Sequence, residues 1–178
     1  ILLVILAGPV LEITKTGVDK SRVAVLVDVS KSMSRQDRYL DPKDKLIAAH
    51  VLGLKPMSET DAQTLSQQDL DAINSANRMA LVQELFKNKD IDLLGRLQKE
   101  YDVGLYTFAR RADLADISGQ DGKILEPTAL DGLAAEGMVT EIGGSLRELA
   151  QRLNSQPLAG ILLITDGANN KGEDPVLV

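Results

Sequence analysis

Val23 to Val29 (Val-Ala-Val-Leu-Val-Asp-Val) is an almost unbroken run of apolar, mostly β-branched residues. A strand with one wet face alternates apolar and polar positions, whereas a continuous run belongs to a strand covered on both faces. Asp102 to Ala109 and Gly160 to Thr165 have the same character. Elsewhere the apolar positions recur at helical spacing, which predicts helices over Lys45 to Leu54, Asp69 to Lys87, Ile91 to Tyr101 and Glu141 to Leu153. In the last of these, Ile142, Leu146, Leu149 and Leu153 fall on one stripe. Strands alternating with helices require crossover connections and a mostly parallel sheet. The expected fold is therefore α/β, a doubly wound, mostly parallel sheet with helices on both faces.

Other segments break this rhythm. From about Asp37 to Ser66 the composition turns polar and reads as a surface insertion, either a determinant of partner specificity or solvated filler. Asp113 to Glu126 is rich in Gly and Asp around Gly119-Gln120-Asp121-Gly122, which suits an antiparallel edge hairpin. Ile1 to Ala7 is apolar and stops at Gly8-Pro9. It is roughly a third as long as the ~20 residues that span a membrane, so residues 1–9 read either as the last turns of a spanning helix or as a core strand with a turn after it. Residues 10–22 read as a linker or edge strand, and 23–178 as the domain. Asp174-Pro175 has the form of a helix start, yet Val178 follows within one turn. The expectation is a piece of a longer protein.

Composition narrows the chemistry. Of the 178 residues, 44% are hydrophobic and 26% charged, enough to bury a core. Twenty basic against 26 acidic residues leave a net charge of −6, which removes the electrostatic drive for nucleic-acid binding. Three Tyr, two Phe and no Trp leave little for stacking on bases. With no Cys and a single His, a thiolate or His-rich metal site is excluded, and any bound metal must take oxygen ligands. That histidine, His50, sits beside Ala48, Ala49 and Val51 and reads as an ordinary helix residue rather than a catalytic base.

Ligand sites of open parallel sheets lie beyond the carboxyl ends of the strands. The first strand ends in Asp28-Val-Ser30-Lys-Ser32, and the third in Thr165-Asp166-Gly167. Alternate residues of an extended segment project to one side, so Asp28, Ser30 and Ser32 can aim oxygens at one point. If the strands are neighbours, Asp166 joins them, and two nearby carboxylates call for a cation or a shared proton. Thr140, just before the last predicted helix, offers another oxygen. Each element has a plainer reading as a helix cap or turn residue. Their combination after buried strands is what favours a metal centre formed by Asp28, Ser30, Ser32, Thr140 and Asp166.

Val-Leu-Val-Asp28-Val-Ser30-Lys-Ser32-Met, then Thr140-Glu-Ile-Gly, then Leu-Leu-Ile-Thr-Asp166-Gly resembles a von Willebrand factor A (vWA) domain with its metal-ion-dependent adhesion site, over about Val23 to Gly172. The resemblance implies that both serine hydroxyls bind the metal directly, and that the threonine and the aspartates bind directly or through water. Mostly neutral ligands leave positive charge toward an open position, which an acidic side chain of a protein partner would fill. Octahedral geometry with several waters favours Mg²⁺ or Mn²⁺ over Ca²⁺. The implied role is binding, not catalysis. The apolar start followed by Ala7-Gly8-Pro9 is similar to bacterial membrane-anchored members of the Bat aerotolerance type. Those relatives hold the domain outside the cytoplasm and are linked to MoxR-type ATPases. The family continues beyond the strand that here ends at Thr165, so this strand is expected to be an unprotected edge.

Rival readings fit the residues less well. A haloacid-dehalogenase-like phosphotransfer enzyme would also place an Asp after the first strand and use Mg²⁺, but it wants a second Asp where this chain has Ser30. Gly119 to Lys123 is too short for a P-loop, and Gly143-Gly144 lacks dinucleotide spacing and instead suits close packing near the metal loop. A degenerate domain serving only as scaffold remains a further alternative.

Overall fold

The apolar run after Ser21 forms β1 (Arg22–Asp28), buried at every position. Its burial follows from its place in the sheet. In the computed structural model, which describes residues 20–110, 114–118 and 124–177, β1 pairs in parallel with β2 (Asp102–Phe108) on one side and β4 (Leu158–Ile164) on the other. A two-residue β3 (Ala115–Asp116) adds an antiparallel edge, giving a four-stranded sheet in the order β3-β2-β1-β4. The protein is thus α/β with a mostly parallel sheet.

Successive residues of β1 serve different cores, as the period of two in a strand demands. Val25 and Val27 pack with Met79, Val82 and Phe86 of α3 (Arg78–Lys87) and Leu94 of α4 (Leu93–Glu100). Ala24 and Leu26 pack with Ile142, Leu149 and Leu153 in and just after α5 (Ile142–Arg152). A smaller cluster of Ala48, Ala49 and Ile73 joins α1 (Pro42–Val51) to α2 (Gln67–Ser75). The polar stretch from 37 to 66 therefore carries α1 and, through that helix, an apolar contact of its own.

The helix predicted over Asp69 to Lys87 is two helices. Ala76 takes an extended conformation, and Asn77 caps α3 by accepting from the Ala80 N–H at 2.7 Å. The break is held from outside, because Gln36 bridges Asn77 and the Arg78 N–H donates to the Arg35 carbonyl at 3.1 Å. Apolar periodicity continues through such a break and does not report it. α1 starts three residues earlier than its pattern suggested, where Asp41 accepts from the Lys43 N–H and Pro42 takes the first turn.

The expected hairpin within 113–126 differs too. β3 pairs antiparallel with β2, while Leu125 exchanges hydrogen bonds with the Gln98 side chain of α4. The proposed turn at Gly119 to Gly122 lies outside the described residues, as does the apolar run at Ile1 to Ala7. Among the described residues no helix is long and apolar enough to cross a membrane. β4 lacks the full burial of β1: among the described residues it is hydrogen-bonded only to β1 and forms the edge of the described sheet, and Leu162 is 36% exposed.

This asymmetry gives a direct expectation. Leu149→Ala, at a fully buried site, should lower stability by about 2–5 kcal/mol in urea unfolding, whereas Leu162→Ala on β4 should cost well under half of that.

Candidate metal centre

Asp28 closes β1 and is fully buried. One carboxylate oxygen accepts from the Ser30 N–H at 2.8 Å, and the other accepts from the Thr165 hydroxyl at 2.8 Å. The second bond follows from sheet register: Val27 lies beside Ile164, so the first residues past β4 arrive level with Asp28. Ser30 is extended and leads into a short 3₁₀ turn, Lys31–Ser34. The Ser30 and Ser32 hydroxyls thereby lie 2.9 Å apart. Arg78 ties the same turn to Asp166, its Nη1 donating to the Ser32 carbonyl at 3.4 Å and to the Asp166 carboxylate. Asp28, Ser30 and Ser32 thus share one hydrogen-bonded cluster, and Asp166 comes to it as the residue after Thr165, which is bonded to Asp28.

Thr140 stands on the loop docked beside it. The Gly137 N–H donates to the Val29 carbonyl at 3.0 Å, and the Lys31 N–H donates to the Gly137 carbonyl at 2.7 Å. Only glycine permits this approach, because a Cβ there would lie 2.2 Å from the Ala109 Cβ. Three residues on, Thr140 is within about 10 Å of chain reach and is 1% exposed. Its N–H donates to the Asn170 side chain and its carbonyl accepts from the Asn170 N–H, both at 3.0 Å. Thr140 is not the cap of α5: Asn169 accepts from the Ile142 N–H at 2.9 Å and fills that role. The Thr140 hydroxyl makes no hydrogen bond to the other four among the described residues.

Close packing at Gly143 is as expected. A Cβ there would lie 2.5 Å from the Glu173 carbonyl oxygen. Residues 169–173 therefore fold tightly over the start of α5, with Arg147 paired to Glu173.

Sequence reasoning missed Arg78. It is the first residue of α3, where the helix dipole disfavours a positive charge. Its Nε and Nη2 donate to the two Asp37 oxygens at 2.6 and 2.7 Å, and its Nη1 donates to Asp166. The Asp37 carboxyl is held below the usual carboxylate range chiefly by its hydrogen bond from Arg78, and the same bond raises Arg78. Burial pushes Asp166 up, but the Ala168 N–H, the Ser32 hydroxyl and the Arg78 charge together outweigh it and leave the group lowered. Stability from these depressed carboxylates is full above the ordinary range at about pH 4 and is lost as pH falls through their lowered values. The clue in the sequence was an arginine at a helix start, but it was hidden because the helix pattern ran straight through position 78. Thr165 was read only as the end of the third strand, and Asn169 and Asn170 carried no periodic signal at all. His50 is buried, its ring 3.3 Å from the Lys55 carbonyl, as suits a helix residue.

Among the described residues no three His, Cys, Asp or Glu side chains gather as metal ligands, so a centre here has to draw on hydroxyls. The donor set fits a hard divalent ion. Asp28 is a fully buried carboxylate that accepts only from neutral groups, with no ion pair to it among the described residues, and such a group is costly without a cation. Asp166 differs, since Arg78 already partners it. No family model, curated protein or solved structure matches this chain.

Two substitutions check this construction. Thr165→Val removes a donor to a buried carboxylate and is expected to cost about 1.5–3 kcal/mol in urea unfolding with chelator present. Gly143→Ala is expected to lift residues 169–173 off α5, read as faster trypsin cleavage at exposed Lys171.

Proposed function

We propose that the chain is a divalent-metal-dependent protein-binding module of the vWA type, its sheet doubly wound. Asp28, Ser30, Ser32, Thr140 and Asp166 hold Mg²⁺ or Mn²⁺ in this reading, and an acidic side chain of a protein partner completes the shell. The observation that carries it is the buried Asp28 carboxylate, bonded to Thr165 and to the turn that sets the Ser30 and Ser32 hydroxyls side by side, with a second carboxylate, Asp166, next in the chain after Thr165. When bound, the metal supplies a Lewis-acidic position for the partner's carboxylate. The protein's own share is positioning. Asp28 is fixed by two hydrogen bonds, so its orientation precedes binding. The Ser30 and Ser32 hydroxyl oxygens, 2.9 Å apart, already have the spacing of adjacent ligands on one octahedral ion. Thr140 is held at the backbone by Asn170, which leaves its hydroxyl available.

Binding is favoured over phosphotransfer because the position two residues after Asp28 is a serine, already engaged with Ser32, and offers no carboxylate for proton transfer. The cellular part of the proposal rests on the resemblance alone: a bacterial envelope protein anchored through segments flanking the domain, with the domain outside the cytoplasm and a MoxR-type ATPase or other envelope protein as associate.

Millimolar Mg²⁺ or Mn²⁺ is expected to raise the melting temperature, by an amount equivalent to about 2.7 kcal/mol at a hundredfold excess over Kd. Chelator should reverse the shift, and Asp28→Ala or Ser30→Ala should abolish it while leaving the circular dichroism of the fold intact. An intact protein that shows no metal response overturns the proposal. Mg²⁺-dependent turnover of a generic phosphoester, lost in Asp28→Ala, would replace it with the enzymatic reading.

A further inference from the structure

We infer that Arg78 is an internal competitor for the metal centre: its guanidinium holds Asp166, and a divalent cation gains that carboxylate only by displacing it. The inference rests on the metal-binding reading above and adds a regulator to the same site.

Geometry carries the argument. Arg78 presents a planar fork, and its two functions fall on different edges of that fork. Nε and Nη2 grip both oxygens of Asp37, while Nη1 alone reaches Asp166. The grip on Asp37 therefore survives if the contact to Asp166 breaks, and the charge remains parked beside the site. Both Asp166 oxygens are already engaged. One oxygen accepts from the Ala168 N–H at 3.0 Å, and the other accepts from Arg78. The Asp166 side chain is only 8% exposed, so water does not screen the pair strongly. A divalent ion and a guanidinium sharing that carboxylate would repel each other at close range.

Room for the displaced group exists. Arg78, Asp37 and Asp166 line a cleft of about 340 Å³ together with Met33, Leu81 and Val82. The anchor is also tied to the segment before α1. Arg35 accepts from the Arg78 N–H, and the Gln36 side chain donates to the Ser75 carbonyl at 2.9 Å. Occupancy of the site and the pose of residues 35–37 are consequently linked, and linkage is reciprocal.

Calorimetric titration of the intact chain with Mn²⁺, repeated on Arg78→Gln, Asp166→Asn and the double variant, tests this. Arg78→Gln is expected to tighten Mn²⁺ binding by about tenfold. In the Asp166→Asn background the same change should alter Kd by less than about twofold, because nothing is left to compete for. Equal tightening in both backgrounds would mean simple charge repulsion and would overturn the competition. Unchanged or weaker binding in Arg78→Gln, with the intact chain still binding, overturns it while the metal-binding reading stands. If neither form binds Mn²⁺, both fall together. Should Arg78→Gln lose its fold by circular dichroism, Arg78→Lys decides: it keeps the charge but cannot span both carboxylates, so Kd should tighten by about threefold if the fork is the competitor and stay unchanged if it is not.

Discussion

A carboxylate sealed inside an aliphatic protein is the constraint around which the rest is arranged. Asp28 ends the most buried strand of the sheet and is itself fully buried. Burying a carboxyl there is costly unless its oxygens find hydrogen-bond partners. The answer comes from both sides: the backbone turns at Ser30 to offer an N–H, and the neighbouring parallel strand runs far enough to deliver the Thr165 hydroxyl. The turn at Ser30 then sets the two serine hydroxyls side by side, and the extension of β4 brings Asp166 after Thr165. The cluster is thus a consequence of how one buried charge is accommodated at the end of a parallel pair.

Much of this was legible in the chain. The β1 run and the β2 pattern gave the strands to within a residue, and the stripe of Ile142, Leu149 and Leu153 does face one core. Asp28, Ser30, Ser32 and Asp166 could be placed together because spacing after a strand decides projection, and parallel neighbours end at the same level. The parts that were not legible depend on tertiary contact. The split at Ala76 is imposed by Arg35 and Gln36, which lie some forty residues earlier in the chain. The capping of α5 by Asn169 comes from the far side of β4. The apolar residues of β4 read on their own like those of β1, and its edge position was expected only from the resemblance, because burial depends on neighbours that its own sequence does not name.

Charge balance at the site differs between its two carboxylates, and that difference organises the functional reading. Asp28 meets only neutral donors, whereas Asp166 meets a guanidinium that is itself anchored by Asp37. An acidic protein can place a cation beside one carboxylate and leave the other to neutral donors only if the first pair is geometrically fixed. The bidentate grip of Asp37 does that fixing.

The docking of Gly137 against Val29 and Lys31 has a thermodynamic consequence. These backbone groups act as rungs between two loops that would otherwise fluctuate independently. The conformational entropy of the serine-bearing segment has therefore been surrendered during folding rather than at the moment of association. A ligand arriving at this surface would therefore meet a main chain already held in place by backbone hydrogen bonds.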